Sequence, residues 1–148
     1  LTDTLRIRTI PVDELAFGYR TSRFKESGEI ILSAEMELVP GEKEAIEARM
    51  KDYNERRREK QPLEYPSAGS TFKRPEGNFA GKLIQEAGLA GLQVGRAQVS
   101  PKHCGFVINL GGARAQDVHA LCRKVQEKVK ENTGIELETE IIFLGEFA

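Results

Sequence analysis

At 148 residues, 39% hydrophobic and 30% charged, the chain has the size and composition of an ordinary globular protein: one domain, or one domain plus part of another. Its 22 Lys and Arg against 23 Asp and Glu leave a net charge of −1, so no overall field draws it to nucleic acid or to an acidic membrane. Apolar runs of only a few residues exclude a membrane-spanning helix, and no secretory signal pattern opens the chain. Cys104 and Cys122 stand at no metal-ligand spacing and form no disulfide framework, so two buried thiols in a reducing cytoplasm, and no metal, are expected.

In chain order, Ile7 to Pro11 reads as a short extended piece that Pro11 ends. Phe17-Gly18-Tyr19-Arg20-Thr21-Ser22-Arg23-Phe24-Lys25 follows, with three aromatics and three cations in nine residues. Such interleaving suits stacking on a flat anionic ligand, and suits equally a surface loop whose aromatics cap a core. From Ile30 to Val39 the side chains alternate, as in a half-buried strand. A small β-unit with no first half reads as the trailing edge of a larger domain.

Pro40-Gly41 breaks the pattern and marks a boundary between residues 1–40 and 41–148. A helix is expected from Glu42 to Lys60, with Ile46, Met50 and Tyr53 on an inward face. Acids in its first turn and Arg56, Arg57, Arg58 and Lys60 in its last follow the macrodipole, which explains the basic cluster better than a nucleic-acid patch does. Next comes Tyr65-Pro66-Ser67-Ala68-Gly69-Ser70-Thr71-Phe72-Lys73-Arg74-Pro75. Two prolines bracket small residues, a hydroxyl and two adjacent cations, which reads either as an anion site or as a Gly/Ser turn entering a strand. It is no Walker-type phosphate loop, because the Gly-Lys-Ser/Thr ending is missing.

Beyond it, Asn78 is placed to cap a helix to Ala87, with Phe79, Leu83 and Ile84 inward and Gly88 as its stop. One or two short strands fall between Gly91 and Ser100, and a buried strand runs from Gly105 to Asn109. Gly111-Gly112 turns into a helix from about Ala115 to Asn132 with Val118, Leu121, Cys122, Val125 and Val129 inward, ended by Gly134. A strand from Ile135 to Leu144 closes the chain, its apolar residues on one face and Glu136, Glu138 and Glu140 on the other. From residue 41 the order is αβαββαβ, an α+β domain with helices layered on a mixed sheet.

Taken together, the ordered segments resemble the UDP-N-acetylenolpyruvoylglucosamine reductase (UDP-N-acetylmuramate dehydrogenase) family. They are Phe17 to Phe24, Arg56-Arg57 with Gln61-Pro62, Pro66 to Pro75 around Ala68-Gly69-Ser70, and Ala80 to Ile84. Val99-Ser100-Pro101-Lys102-His103, Phe106 to Asn109 and Gly134 to Ile141 complete the set. The resemblance implies the C-terminal part of a flavoenzyme that uses FAD and NADPH to reduce an enolpyruvyl ether on a UDP-sugar, in the cytoplasm, for peptidoglycan precursors. It also implies that residues 1–40 are the last strands of an FAD-binding domain whose glycine-rich N-terminal region has no counterpart here. That flavin domain is thus the missing partner, and this piece by itself would be inactive.

Residue by residue, the resemblance assigns proton donation to Ser70, the fixed cation on the substrate carboxylate to Arg20, and a hydrogen bond to the enol to Glu140. Tyr19, Arg20, Ser22 and Arg23 would touch the flavin. Arg57, Lys73, Arg74, Lys102 and His103 would meet the diphosphate and uridine. One departure is Gly95-Arg96 where the family usually has Gly-Gly; Pro101 stiffens the same region. The competing reading is a non-catalytic α+β module binding nucleotides or RNA through Arg56 to Lys60 and the 17–25 loop.

Overall fold

A computed structural model describes residues 6–147. The chain divides after Glu42 into two units. In the first, a turn of 3-10 helix, Val12–Glu14, follows Pro11. Gly18 and Thr21 then bridge across a tight turn carrying Tyr19 and Arg20, and Phe24–Ser27 is a single helical turn, α1. The strands expected at 7–11 and 30–39 do not form: these residues join no ladder among those described. A strand is held by its neighbour's backbone groups, and this unit supplies no neighbour. No described side chain of residues 6–42 is buried.

The second unit opens with α2, Lys43–Lys60, whose acidic start and basic end are as the macrodipole favours. Its expected inward face is not inward: Met50 and Tyr53 are 59% and 64% exposed and the helix buries nothing. Amphipathic spacing marks the side a helix would bury, and whether anything lies against that side is a tertiary matter.

β1 (Ser67–Ser70), β2 (Gln93–Val94), β3 (Ala97–Val99) and β4 (Phe106–Asn109) make one sheet in the order β1-β4-β3-β2. Every pairing is antiparallel, which corrects the mixed sheet expected. The connections explain two of the three: β2 and β3 are a hairpin, and β4 returns beside β3 through a short turn, too short for a parallel crossover. At the hairpin Gly95 takes φ +55°, and a Cβ there would lie 2.4 Å from the Asp117 carboxyl carbon, so glycine is required.

α3 spans Ala80–Glu86 and α4 spans Ala115–Thr133. Phe79, not Asn78, is the N-cap of α3; Asn78 turns its side-chain amide back to the Glu76 carbonyl. Phe79 is 57% exposed rather than inward. α4 packs on β2, β3 and α3, and Leu121, Cys122, Val125 and Val129 enter the core as expected, with Val118 at its margin. Gly134, at φ +74°, ends α4. The core that results holds Ile84, Val99, Ile108 and Leu121 essentially out of water, each worth about 1.5–3 kcal/mol of burial. Both cysteines are free thiols within it.

The closing strand is reduced to one bridge, Phe72 with Thr139. Its alternation survives nonetheless. Leu137 is buried, Ile135, Thr139 and Ile141 are partly so, and Glu136, Glu138 and Glu140 face water.

Candidate functional site

Ser70 ends β1, where the strand's register against β4 shifts between Ser67 and Ser70. Gly69, at φ +82°, makes the irregularity without steric cost. The next residue fixes the place. The Thr71 N–H donates to the Gly105 carbonyl at 2.8 Å, and its buried hydroxyl accepts from the Val107 N–H at 3.0 Å. On its other edge the Thr71 carbonyl accepts from the Glu140 N–H at 2.9 Å, and the Lys73 N–H donates to the Glu138 carbonyl at 2.8 Å. Residues 71–73 are therefore clamped between the turn before β4 and the C-terminal segment. Ser70 stands one residue along from the Thr71–Glu140 pairing, exposed, its hydroxyl without a hydrogen bond among the described residues.

Around this clamp the cations have definite partners. The Lys73 ammonium pairs with the Glu138 carboxylate. Arg74 stacks its guanidinium 4.0 Å from the Phe79 ring centroid and donates Nε–H to the Asn78 carbonyl at 3.3 Å. Lys102 reaches back 44 residues to the Arg58 carbonyl at 2.8 Å, at the carbonyl-rich end of α2, with Glu64 at 3.6 Å. Arg57 donates Nε–H to the Gln61 side chain at 3.1 Å, and Arg56 pairs with Asp52 along the helix.

His103 closes a turn: its Nδ1 accepts the Gly105 N–H at 3.1 Å, which leaves the proton of the neutral ring on Nε2. Its ring meets Phe106 edge-on at 4.8 Å. A Cβ on Gly81 would meet the Gly105 nitrogen at 3.2 Å, so the start of α3 approaches this turn closely. Arg96 lies folded onto the backbone, Nη2 2.6 Å from the Leu110 carbonyl and Nε 3.1 Å from that of Gly111.

In the first unit, Arg20 takes φ +55° and its guanidinium lies 5.7 Å from the centroid of the Tyr19 ring, which is 80% exposed. Arg23 is committed to Glu14 at 3.8 Å and Glu29 at 3.3 Å, and Ser22 is half-buried.

The second unit thus brings Ser70, Lys73 and Glu140 to one clamp, and ties Lys102 beside His103 to the end of α2 that carries Arg57. Sequence reasoning missed Thr71, whose hydroxyl holds β4, and the pairing of Glu64 and Glu138 with the lysines. The alternation of the C-terminal segment was the available signal for Glu138, two residues from Glu140. A shallow hollow of about 360 Å³ lies elsewhere, lined by α4 residues such as His119, Arg123 and Lys130 with Glu136 and Leu137, and holds none of the expected site residues. Among the described residues no three His, Cys, Asp or Glu side chains cluster as a metal site would need.

Residues 61–144 match the family model described as "UDP-N-acetylenolpyruvoylglucosamine reductase, C-terminal domain". The UDP-N-acetylenolpyruvoylglucosamine reductase of Agathobacter rectalis is 54% identical over 147 residues, 99% of this chain and 47% of its own length. That of Clostridium perfringens strain SM101 is 50% identical over 145 residues, 98% of this chain and 48% of its own. The crystal structure of the Thermus caldophilus UDP-N-acetylenolpyruvylglucosamine reductase superposes with a TM-score of 0.72 at 44% identity, over 86% of this chain and 46% of that one. The chain therefore spans about half the length of these relatives. With the model covering more than half of its residues, and its α+β fold shared with a solved member, the chain belongs to the UDP-N-acetylenolpyruvoylglucosamine reductase family and carries that family's C-terminal domain.

Proposed function

We propose that this chain is the substrate-binding portion of a flavin-dependent reductase that converts UDP-N-acetylglucosamine enolpyruvate to UDP-N-acetylmuramate, a cytoplasmic step toward peptidoglycan. Residues 41–148 are the substrate domain and residues 1–40 the edge of an FAD-binding domain. The observation that carries the reading is the clamp: the Glu140 N–H bonded to the Thr71 carbonyl holds the C-terminal glutamate one residue from the exposed Ser70 hydroxyl.

As to FAD, the exposed Tyr19 ring and the Arg20 guanidinium beside it are of the right chemistry for one edge of a flavin, with the half-buried Ser22. Arg23, held by Glu14 and Glu29, would shape that loop more than reach a ligand. No described side chain of this unit is buried, so these residues suit a contributing edge rather than an enclosure. A flavin held at its edge by Tyr19, Arg20 and Ser22 and reduced by NADPH would supply a hydride to the methylene carbon of the enolpyruvyl ether.

The substrate then holds an enolate beside its carboxylate, and the protein must stabilise that charge and deliver a proton to the adjacent carbon. Ser70 donates its hydroxyl proton there, and Lys73 eases the alkoxide left behind. Arg20 holds the carboxylate with its planar fork. Glu140, carrying a proton, hydrogen-bonds the enolate oxygen, since a bare carboxylate would repel it. Arg57, Lys73, Arg74, Lys102 and His103 meet the diphosphate and uridine.

In the full-length enzyme, Ser70→Ala should leave flavin reduction by NADPH at its normal rate. It should slow reoxidation by substrate by about two to four orders of magnitude. Stopped-flow absorbance of each half-reaction decides it, and unimpaired reoxidation would remove Ser70 from the chemistry.

A further inference from the structure

The cations assigned to the diphosphate each have a partner within the chain, and two of those partners are carboxylates brought from a distance. Glu138 pairs with Lys73 across 65 positions, beside a backbone bond between the same two residues. Glu64 lies 3.6 Å from the Lys102 ammonium, which also donates to the Arg58 carbonyl. Arg57 and Arg74, by contrast, use neutral acceptors and a ring. Each acid therefore competes for an ammonium that a phosphate oxygen would also use.

Resting on the site reading above, we propose that Glu64 and Glu138 are built-in competitors of the diphosphate. Each holds its lysine by a surface ion pair that a phosphoryl oxygen replaces on binding. Exposed pairs of this kind are weak and exchange readily, so the swap is cheap for a ligand of high charge. A singly charged carboxylate merely exchanges one carboxylate for another and gains nothing. A diphosphate brings more charge and more acceptor oxygens to each ammonium, so the same two acids select polyphosphate anions over monoanions.

The test is calorimetric titration of the 148-residue chain with inorganic pyrophosphate, comparing wild type with Glu64→Gln, Glu138→Gln and the double variant. Glu47→Gln and Glu131→Gln remove the same charge from the pairs with Lys43 and Lys128 elsewhere on the surface. Each site substitution should tighten pyrophosphate by about two- to five-fold, and the double variant by about their product, with the controls unmoved. Absence of tightening, weaker binding, or equal tightening by the controls overturns the proposal. UDP titrated in parallel separates the two readings. Tighter pyrophosphate with no UDP binding keeps the competitors and sinks the nucleotide site; UDP binding that the variants do not improve does the reverse.

Discussion

Thr71 is where a single side chain most controls the geometry. It is 2% exposed, its hydroxyl accepts the Val107 N–H, and its two backbone groups bind Gly105 on one side and Glu140 on the other. Thr71→Val keeps the shape but leaves the Val107 N–H buried without an acceptor. The expected loss is about 1–3 kcal/mol in urea unfolding, with Thr71→Ser retaining most of the wild-type value. Cys122 offers a second check: burial pushes its thiol up to about 12, and Cys104 is shifted the same way for the same reason. Neither should react with a disulfide reagent at pH 8 at the rate of an exposed thiol, and both should label rapidly in denaturant. Rapid labelling of the native chain would contradict the core described. Ser70 is a candidate through the family resemblance, since its small neighbours and adjacent cations read equally well as a Gly/Ser turn. Thr71 was not legible in the sequence, because its partner lies 36 positions away and only the fold brings it there.

Among the elements, α4 shows the closest agreement between pattern and outcome. Leu121, Cys122, Val125 and Val129 recur at helical spacing and all are buried, and Gly134 stops the helix. Its start rests on Asp117, whose carboxylate accepts the Arg114 N–H at 2.9 Å. That bond, with the Arg114 charge, holds the carboxyl below its ordinary 3.8 although burial opposes it. A lowered value means this stabilisation is complete above the unfolded pKa and fades as pH falls through the folded one. The melting-temperature gap between wild type and Asp117→Ala should therefore be widest above about pH 5 and narrow in stronger acid. A gap independent of pH would show the ionised carboxylate has no part in the cap. α2 has equally clear spacing but buries no residue. The 30–39 segment alternates like a strand yet joins no ladder among the described residues. Periodicity states which face an element would offer, and a strand or face becomes real only when a partner's backbone or side chains arrive.

For the whole molecule the distribution of burial is uneven. Every buried residue among those described lies from Pro62 onward, and the described part of the first unit has none. Brief digestion with a glutamate-specific protease should cut after Glu35, Glu37 and Glu42 first, leaving a resistant fragment that contains the core. Cleavage within 80–130 on the same timescale would contradict this. By itself the sequence determined the α+β class, the helices near 43–60, 80–86 and 115–133, and the family, because helical periodicity, glycine stops and ordered motifs are properties of short stretches of chain. Only the tertiary structure decided that the sheet is wholly antiparallel, that the C-terminal segment clips to residues 71–73 by a single bridge, and that Glu64 and Glu138 hold the lysines. The β1–β4 pairing, the C-terminal bridge and the two acid–lysine pairs join residues far apart in the chain, and the energy that selects them comes from packing and hydrogen bonds that no local window contains.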